Sequence, residues 1–284
     1  MSEEKDDIPV EKRAYPEDLN EVECEHTPET ESPTIRTIEP DHLGTWLGKG
    51  WRDLWKTPVA LIHGLVIAIV GLVALGLSWN EPWMAFAFLA GLLFLGPILA
   101  VGVNFLAMQR DRGHATGTGL GWVSHLGGSV WVFALLLALI FAIWASFVWM
   151  WIAVLNIGEL GVTGQLHHLF GAMLSTGPGI ISLIGVVVAA VIFGLIVFML
   201  SLITVPAMID QRARDEASQT TLFDAIGMSL KAFNHNRGTL LLWGLIITAL
   251  FAVSVATALL ALTVIFPWLG FAMWHGYRDL ISTA

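Results

Sequence analysis

Cysteine is almost missing from this chain. Cys24 is its only one, which excludes a disulfide, a CxxC motif or a thiolate metal site within a single chain. Charge is nearly as scarce. Asp, Glu, Lys and Arg make up 13% of the 284 residues, against about 25% in an ordinary soluble domain. Hydrophobic residues reach 56%, with thirteen Trp. That balance excludes a soluble globular domain and places the chain in a membrane. Several sequence signatures are absent too. There is no GxxxxGK[ST] phosphate loop, no HExxH zinc helix, no GxSxG nucleophile elbow, no CxxCH haem attachment, and no basic stripe interleaved with aromatics to hold nucleic acid. No basic segment followed by an apolar stretch opens the chain, so insertion is expected to rely on the first span rather than on a cleaved signal.

The most informative absence is positional. No basic residue lies between Lys56 and Arg110, between Arg112 and Arg212, or between Arg237 and Arg278. Each block can hold two helices of about 20 residues across a hydrocarbon core of about 30 Å. Two spans per block return the chain to its starting side, so all cations share one face, which the positive-inside rule names cytoplasmic. The expected fold is therefore all-α: a polytopic helix bundle with six transmembrane spans, five as the alternative, plus short interfacial helices.

The negative charge has a different address. Residues 1–42 carry fourteen acids against four bases, whereas residues 43–284 carry nine acids against ten bases. A segment so acidic and so poor in aromatics cannot bury enough apolar surface to offset its ordering entropy. Residues 1–42 are expected to be a disordered cytoplasmic tail that repels anionic lipid and nucleic acid.

The membrane domain, 43–284, divides as follows. An interfacial helix is predicted at 45–56, with Leu47, Trp51, Leu54 and Trp55 on one face. Spans follow at about 58–79, 83–108, 127–151, 180–205, 239–258 and 261–280, and a cytoplasmic amphipathic helix at 221–234 opens on a capping box, Thr221 with Asp224, its apolar face being Leu222, Ile226, Leu230 and Phe233. The sizeable outer loop, 152–179, is expected to lay a half-helix from Gln165 to Leu174 on the membrane surface. The last block is the hardest to divide. The uncharged run from Thr239 to Tyr277 would measure about 58 Å as one helix, so it must turn. Thr257, Thr263 and Pro267 are the candidate breaks. Small residues four apart (Gly64 and Ala68, Ala87 and Gly91, Gly185 and Ala189, Ala190 and Gly194, Ala252 and Ala256) predict close helix packing.

Three phrases carry a family likeness. They are Gly50-Trp51-Arg52-Asp53-Leu54 with Pro58 and Gly64, then Gly96-Pro97-Ile98-Leu99-Ala100-Val101-Gly102, and finally Pro267 to Leu280 with its Trp274-His275-Gly276-Tyr277-Arg278-Asp279-Leu280 ending. Together they resemble the bacterial integral membrane family known as domain of unknown function 2189, over nearly everything after the tail. The resemblance implies a bacterial inner-membrane protein, and the distribution of cations places both termini on the cytoplasmic side. Some family members carry a cytochrome c oxidase subunit label, which implies a respiratory association. The family pattern often has a second His where this chain has Phe271, which weakens a two-His ligand set at this end.

Independently of any family, Gly-aromatic-Arg-Asp-Leu occurs twice, at Gly50 to Leu54 and Gly276 to Leu280. In a six-span arrangement both copies fall on the inner surface as potential neighbours. Trp51, Arg52, Trp55, Trp274, Tyr277 and Arg278 are accordingly expected to be membrane-interface anchors. Polar groups inside the bilayer are expensive and mark candidate sites. Here these are His63, Asn104 and His275. His63 and His275 could ligate haem, although no carboxylate accompanies them within the bilayer and no cofactor is expected. His167 and His168 with Glu159 have the residue types of a metal site, but adjacent His residues on a helix diverge by about 100°, so no metal is expected there. His114 and His125 flank a glycine-rich loop and suggest nothing specific.

Three functions compete at this point. The first is a non-catalytic accessory or assembly partner of a larger membrane complex, such as a respiratory oxidase. The second is a small transporter or channel for a neutral solute, and the third a haem- or metal-binding redox protein. The expected partners are the lipid bilayer and a membrane-complex protein.

Overall fold

In the computed structural model the described residues are 34–78, 80, 82–114, 121, 123, 127–154, 174–212 and 221–282. The expected half-helix of the outer loop, Glu159, His125, His167 and His168 lie outside them, as do residues 1–33.

The chain order is β1 (Thr34–Ile35), α1 (Asp41–Lys56), α2 (Ala60–Leu77), α3 (Pro82–Leu99), α4 (Val101–Asp111), α5 (Gly128–Val154), α6 (Gly177–Ser201), α7 (Thr204–Arg212), α8 (Leu222–His235), α9 (Arg237–Ala256), α10 (Leu262–Leu280) and β2 (Ile281–Ser282). Among the described residues five stretches are long and apolar enough to cross a membrane: Ala60–Leu77, Met84–Asp111, Gly128–Trp151, Gly177–Gln211 and Arg237–Ala256. Two of these exceed the bilayer. At 1.5 Å per residue, 28 residues from Met84 measure about 42 Å and 35 residues from Gly177 about 52 Å. Their excess lies at one shared end, where Arg112 meets Asp210. There α4 and α7 leave the lipid-facing bundle and, with α1, α8 and the second half of α10, build a base.

Each continuation has a local cause. Ala100 interrupts α3 and α4 three residues after Pro97, whose ring removes one helical hydrogen bond. Between α6 and α7 the chain turns at Leu202 and Ile203. There Ser229 of α8 accepts from the Ile203 N–H at 3.2 Å and donates to the Met199 carbonyl at 2.7 Å, bridging the break. The expected capping box of α8 is present: Asp224 N–H donates to Thr221 Oγ1 at 3.3 Å and Thr221 N–H to Asp224 Oδ2 at 3.0 Å. Its buried face is rotated from the expected one. Ala225, Ser229 and Ala232 share it with Leu222 and Phe233, because the neighbouring break demands small side chains.

The uncharged last block turns at Thr257, the first of the three candidate breaks, and Pro267 lies inside α10. Ala258 and Leu259 adopt φ of 49° and 67°. The turn's polar groups are served locally: Thr257 Oγ1 accepts from Ala261 N–H at 3.1 Å, and Leu259 N–H donates to Ser254 O at 2.6 Å. An unserved group in hydrocarbon would cost several kcal/mol, roughly.

The sixth expected span, at 261–280, coincides with α10 (Leu262–Leu280). The helix forms, but it is not among the stretches apolar and long enough to cross. Leu262 and Thr263 abut Gly64, and the turn's Leu259 side chain lies against Gly71 of α2. From Trp268 onward α10 runs along α1 instead, with Trp268 Nε1 donating to Leu47 O at 2.9 Å. The chain still returns to the base, which places Arg278 beside Asp111.

The tail boundary also moves. Residues 34–42 are ordered, because Asn236, at the junction of α8 and α9, offers both a donor and an acceptor to the passing strand. Its Oδ1 accepts from Ile38 N–H at 2.8 Å and its Nδ2 donates to Arg36 O at 3.0 Å. Thr239 Oγ1 adds a bond to Ile38 O at 3.1 Å, and β1 pairs antiparallel with β2.

Candidate functional site in the base and the bundle

The repeated Gly-aromatic-Arg-Asp-Leu phrase organises the base. Its two copies lie on antiparallel helices, α1 and α10, related by a local two-fold arrangement. A Cβ on Gly50 would stand 2.7 Å from the backbone nitrogen of Ala272, and one on Gly276 would stand 3.0 Å from the ring of Trp46. Trp46 precedes Gly50 by four residues, and Ala272 precedes Gly276 by four. Each glycine therefore marks a close crossing that the other copy repeats.

Both aspartates then face the opposite helix. Asp53 accepts from His275 Nε2 at 2.7 Å and from Arg110 Nε at 2.8 Å. Asp279 is bonded by His42 Nδ1 at 2.6 Å and accepts from Trp46 Nε1 at 2.9 Å. Burial pushes both carboxyl groups up, yet these bonds outweigh it and hold each below the ordinary 3.8. The bond to Asp279 raises His42 above 6.5. A third carboxylate, Asp210, is 2% exposed and joins α7 to both neighbours, accepting from Arg112 Nη2 at 2.8 Å and from Tyr277 Oη at 3.0 Å. Asp111 pairs with Arg278 at 3.3 Å.

Several expected site residues stand elsewhere than predicted. Trp274 and Tyr277, expected as interface anchors, are 1% and 4% exposed. The α1–α10 crossing turns their side of α10 inward. Trp51 and Trp55 are exposed at 42% and 53%, Trp51 resting edge-on against Trp268, and Arg52 is exposed. His63 and His275 are not brought together. Gly64, next to His63, abuts Thr263, and twelve residues of α10, about 18 Å, separate Thr263 from His275. Among the described residues no group of three His, Cys, Asp or Glu could hold a metal ion.

Asn104 is 2% exposed, and its Nδ2 donates to Ala100 O at 3.0 Å. It lines a cavity of about 780 Å³ between α3, α6, α9 and α10 whose walls are otherwise almost wholly apolar. A smaller, polar cavity of about 260 Å³ lies in the base beside Asp53, Arg110, Asp111 and His275.

The Asp210–Arg112–Tyr277 junction and the His42–Asp279 pair were not anticipated from sequence. One signal pointed that way: with the tail set aside, acids and bases nearly balance in residues 43–284.

No curated protein and no solved structure matches this chain. A family model does, over a stretch that includes the Gly96–Gly102 phrase but neither copy of the Asp-bearing repeat. That model, described as predicted integral membrane protein (DUF2189), matches residues 85–210, from the second crossing helix into α7, and over this stretch the chain is similar to that family of integral membrane proteins.

Proposed function

We propose that the protein is a non-catalytic accessory or assembly partner of a larger complex in a bacterial inner membrane, with the oxidase label of some members of the family it resembles making a respiratory complex the first to examine. The observation behind this reading is how the acid–base groups are used. Asp53, Asp111, Asp210 and Asp279 each bind a cationic or imidazole side chain from a helix remote in sequence. A His–Asp pair serves catalysis when the second imidazole nitrogen reaches a nucleophile or a substrate. Here the His275–Asp53 contact joins α10 to α1, and Arg110 closes it from α4. Such bonds build a rigid platform on one membrane face. Above it, α2, α5 and α6 present long apolar faces, Val70, Leu135 and Val188 among them, suited to lipid or to another membrane helix.

Mass spectrometry of what accompanies the tagged full-length protein through purification in mild detergent tests this reading. A stoichiometric membrane partner is the expected result, and migration alone from several detergents would refute it. An optical spectrum of the same sample addresses the competing haem reading, where a Soret band would favour ligation at His63 or His275.

A further inference from the structure

The cavity between α3, α6, α9 and α10 is more than a packing defect. Gly96 and Gly194 both line it, and a Cβ on either would meet open space. Its size falls in the range of about 300–1,000 Å³ typical of sites that enclose small ligands. The hydroxyl groups on its walls are already engaged: Ser201 Oγ donates to Val197 O at 2.6 Å, and Thr248 Oγ1 to Gly244 O at 2.8 Å. Two buried polar atoms are not. Asn104 Oδ1 and Trp243 Nε1 have no hydrogen-bond partner, on residues that are 2% and 0% exposed. The first is an acceptor, its amide orientation being fixed by the bond from Nδ2 to Ala100 O. The second can only donate.

Leaving such groups unserved in an apolar interior costs about 1–3 kcal/mol each, so the cavity is built for a molecule that carries its own donor and acceptor. A hydroxyl group supplies both. Among the described residues no charged side chain lines the cavity, so an ionised carboxylate or phosphate head would be buried without a counter-charge, at a cost its chain could not offset. We infer that this cavity binds a neutral, hydroxyl-bearing, single-chain lipid taken from the bilayer, its head between Asn104 and Trp243 and its chain against the apolar walls.

Oleyl alcohol, octadecane and phosphatidylglycerol are the probes, each added to the full-length protein in detergent and followed by native mass spectrometry, with thermal melting confirming that every variant is folded. One equivalent of oleyl alcohol should bind, in preference to octadecane. Asn104→Leu and Trp243→Phe should each weaken it by roughly five- to tenfold, the loss of one hydrogen bond. Gly194→Phe, which alters neither polar group, should abolish it by filling the space. Equal binding of octadecane would overturn the role of the polar head, and unchanged binding to Gly194→Phe would overturn the location. Retention of phosphatidylglycerol alone would mean that the crevice merely admits acyl chains from the bilayer.

Discussion

The lipid-facing bundle and the base beneath it are parts of one helical structure held together by different means. In an apolar 18-residue segment of each membrane-crossing stretch only 17% to 28% of the residues are buried, and a large cavity lies between the bundle's helices. In α4, by contrast, every residue from Val101 to Met108 is buried, and four carboxylates bind the surrounding helices. The difference follows from the solvent. Lipid tails are as apolar as leucine, so burying leucine between helices gains little there, and small residues with dispersion contacts must suffice. In the base, water makes apolar burial favourable, and charge pairs can fix which helix meets which.

Asp210→Ala strikes the base where it is most committed. Two helices lose their shared acceptor, and Arg112 and Tyr277 are left facing each other across a buried junction. A loss of about 3 kcal/mol is expected, read as a drop in the thermal midpoint in detergent, with the bundle's helical signal persisting after the base has opened. Simultaneous loss of all helical signal would mean that the two regions are one cooperative unit.

A matched pair of glycine substitutions tests the contrast directly. Gly50→Ala puts a methyl group against the backbone of Ala272, where neither helix can yield without disturbing the Asp53 and Asp279 bonds, and should cost about 1–3 kcal/mol. Gly194→Ala, in the bundle, meets open space and improves helix propensity, so it should be neutral or stabilising by up to about 1 kcal/mol. Equal effects at the two sites, measured by denaturant titration in one detergent, would erase the distinction.

Much of this arrangement was legible in the sequence. The missing cations gave the crossing helices, and Thr221 with Asp224 gave the start of α8, because hydropathy and capping are local. Gly64 and Ala68 were recognisable as a close crossing, and both face the α9–α10 hairpin. Ala252 and Ala256 have the same spacing but are exposed, because spacing does not say which face of a helix has a neighbour. The base was the least legible part. His42 and Asp279 are 237 positions apart, and nothing local marks them as partners. Tyr277 and Trp274 have the composition of interface anchors, yet are enclosed by a crossing that only the fold specifies.

A smaller loss is expected from Thr221→Ala, which removes the N-cap of α8 and should cost about 1 kcal/mol. Because α8 supplies Ser229 to the break between α6 and α7, this change should speed hydrogen exchange at Ile203 N–H while leaving α2 and α5 unaffected.

The weakest expected effect belongs to His42 and is defined by its pH dependence. The bond to Asp279 raises the folded-state value of His42, with Asp279, Asp41 and Glu39 adding negative potential around it. Its contribution is therefore complete below about 6.5, the unfolded value, and disappears as pH rises through the raised folded value. Asp279 has the opposite sign. Its folded value is lowered, so its contribution is complete above about 3.8 and is lost as pH falls through the lowered value. The two overlap between about pH 4 and 6.5. His42→Ala should accordingly lower the thermal midpoint most at pH 6 and progressively less toward pH 9, whereas Asp279→Asn should retain an effect at pH 9, because Trp46 Nε1 still donates to that carboxylate. A His42→Ala penalty that stayed constant from pH 6 to 9 would mean that this imidazole acts by packing rather than charge, and the polar link at Asp279 would then be carried by the Trp46 indole.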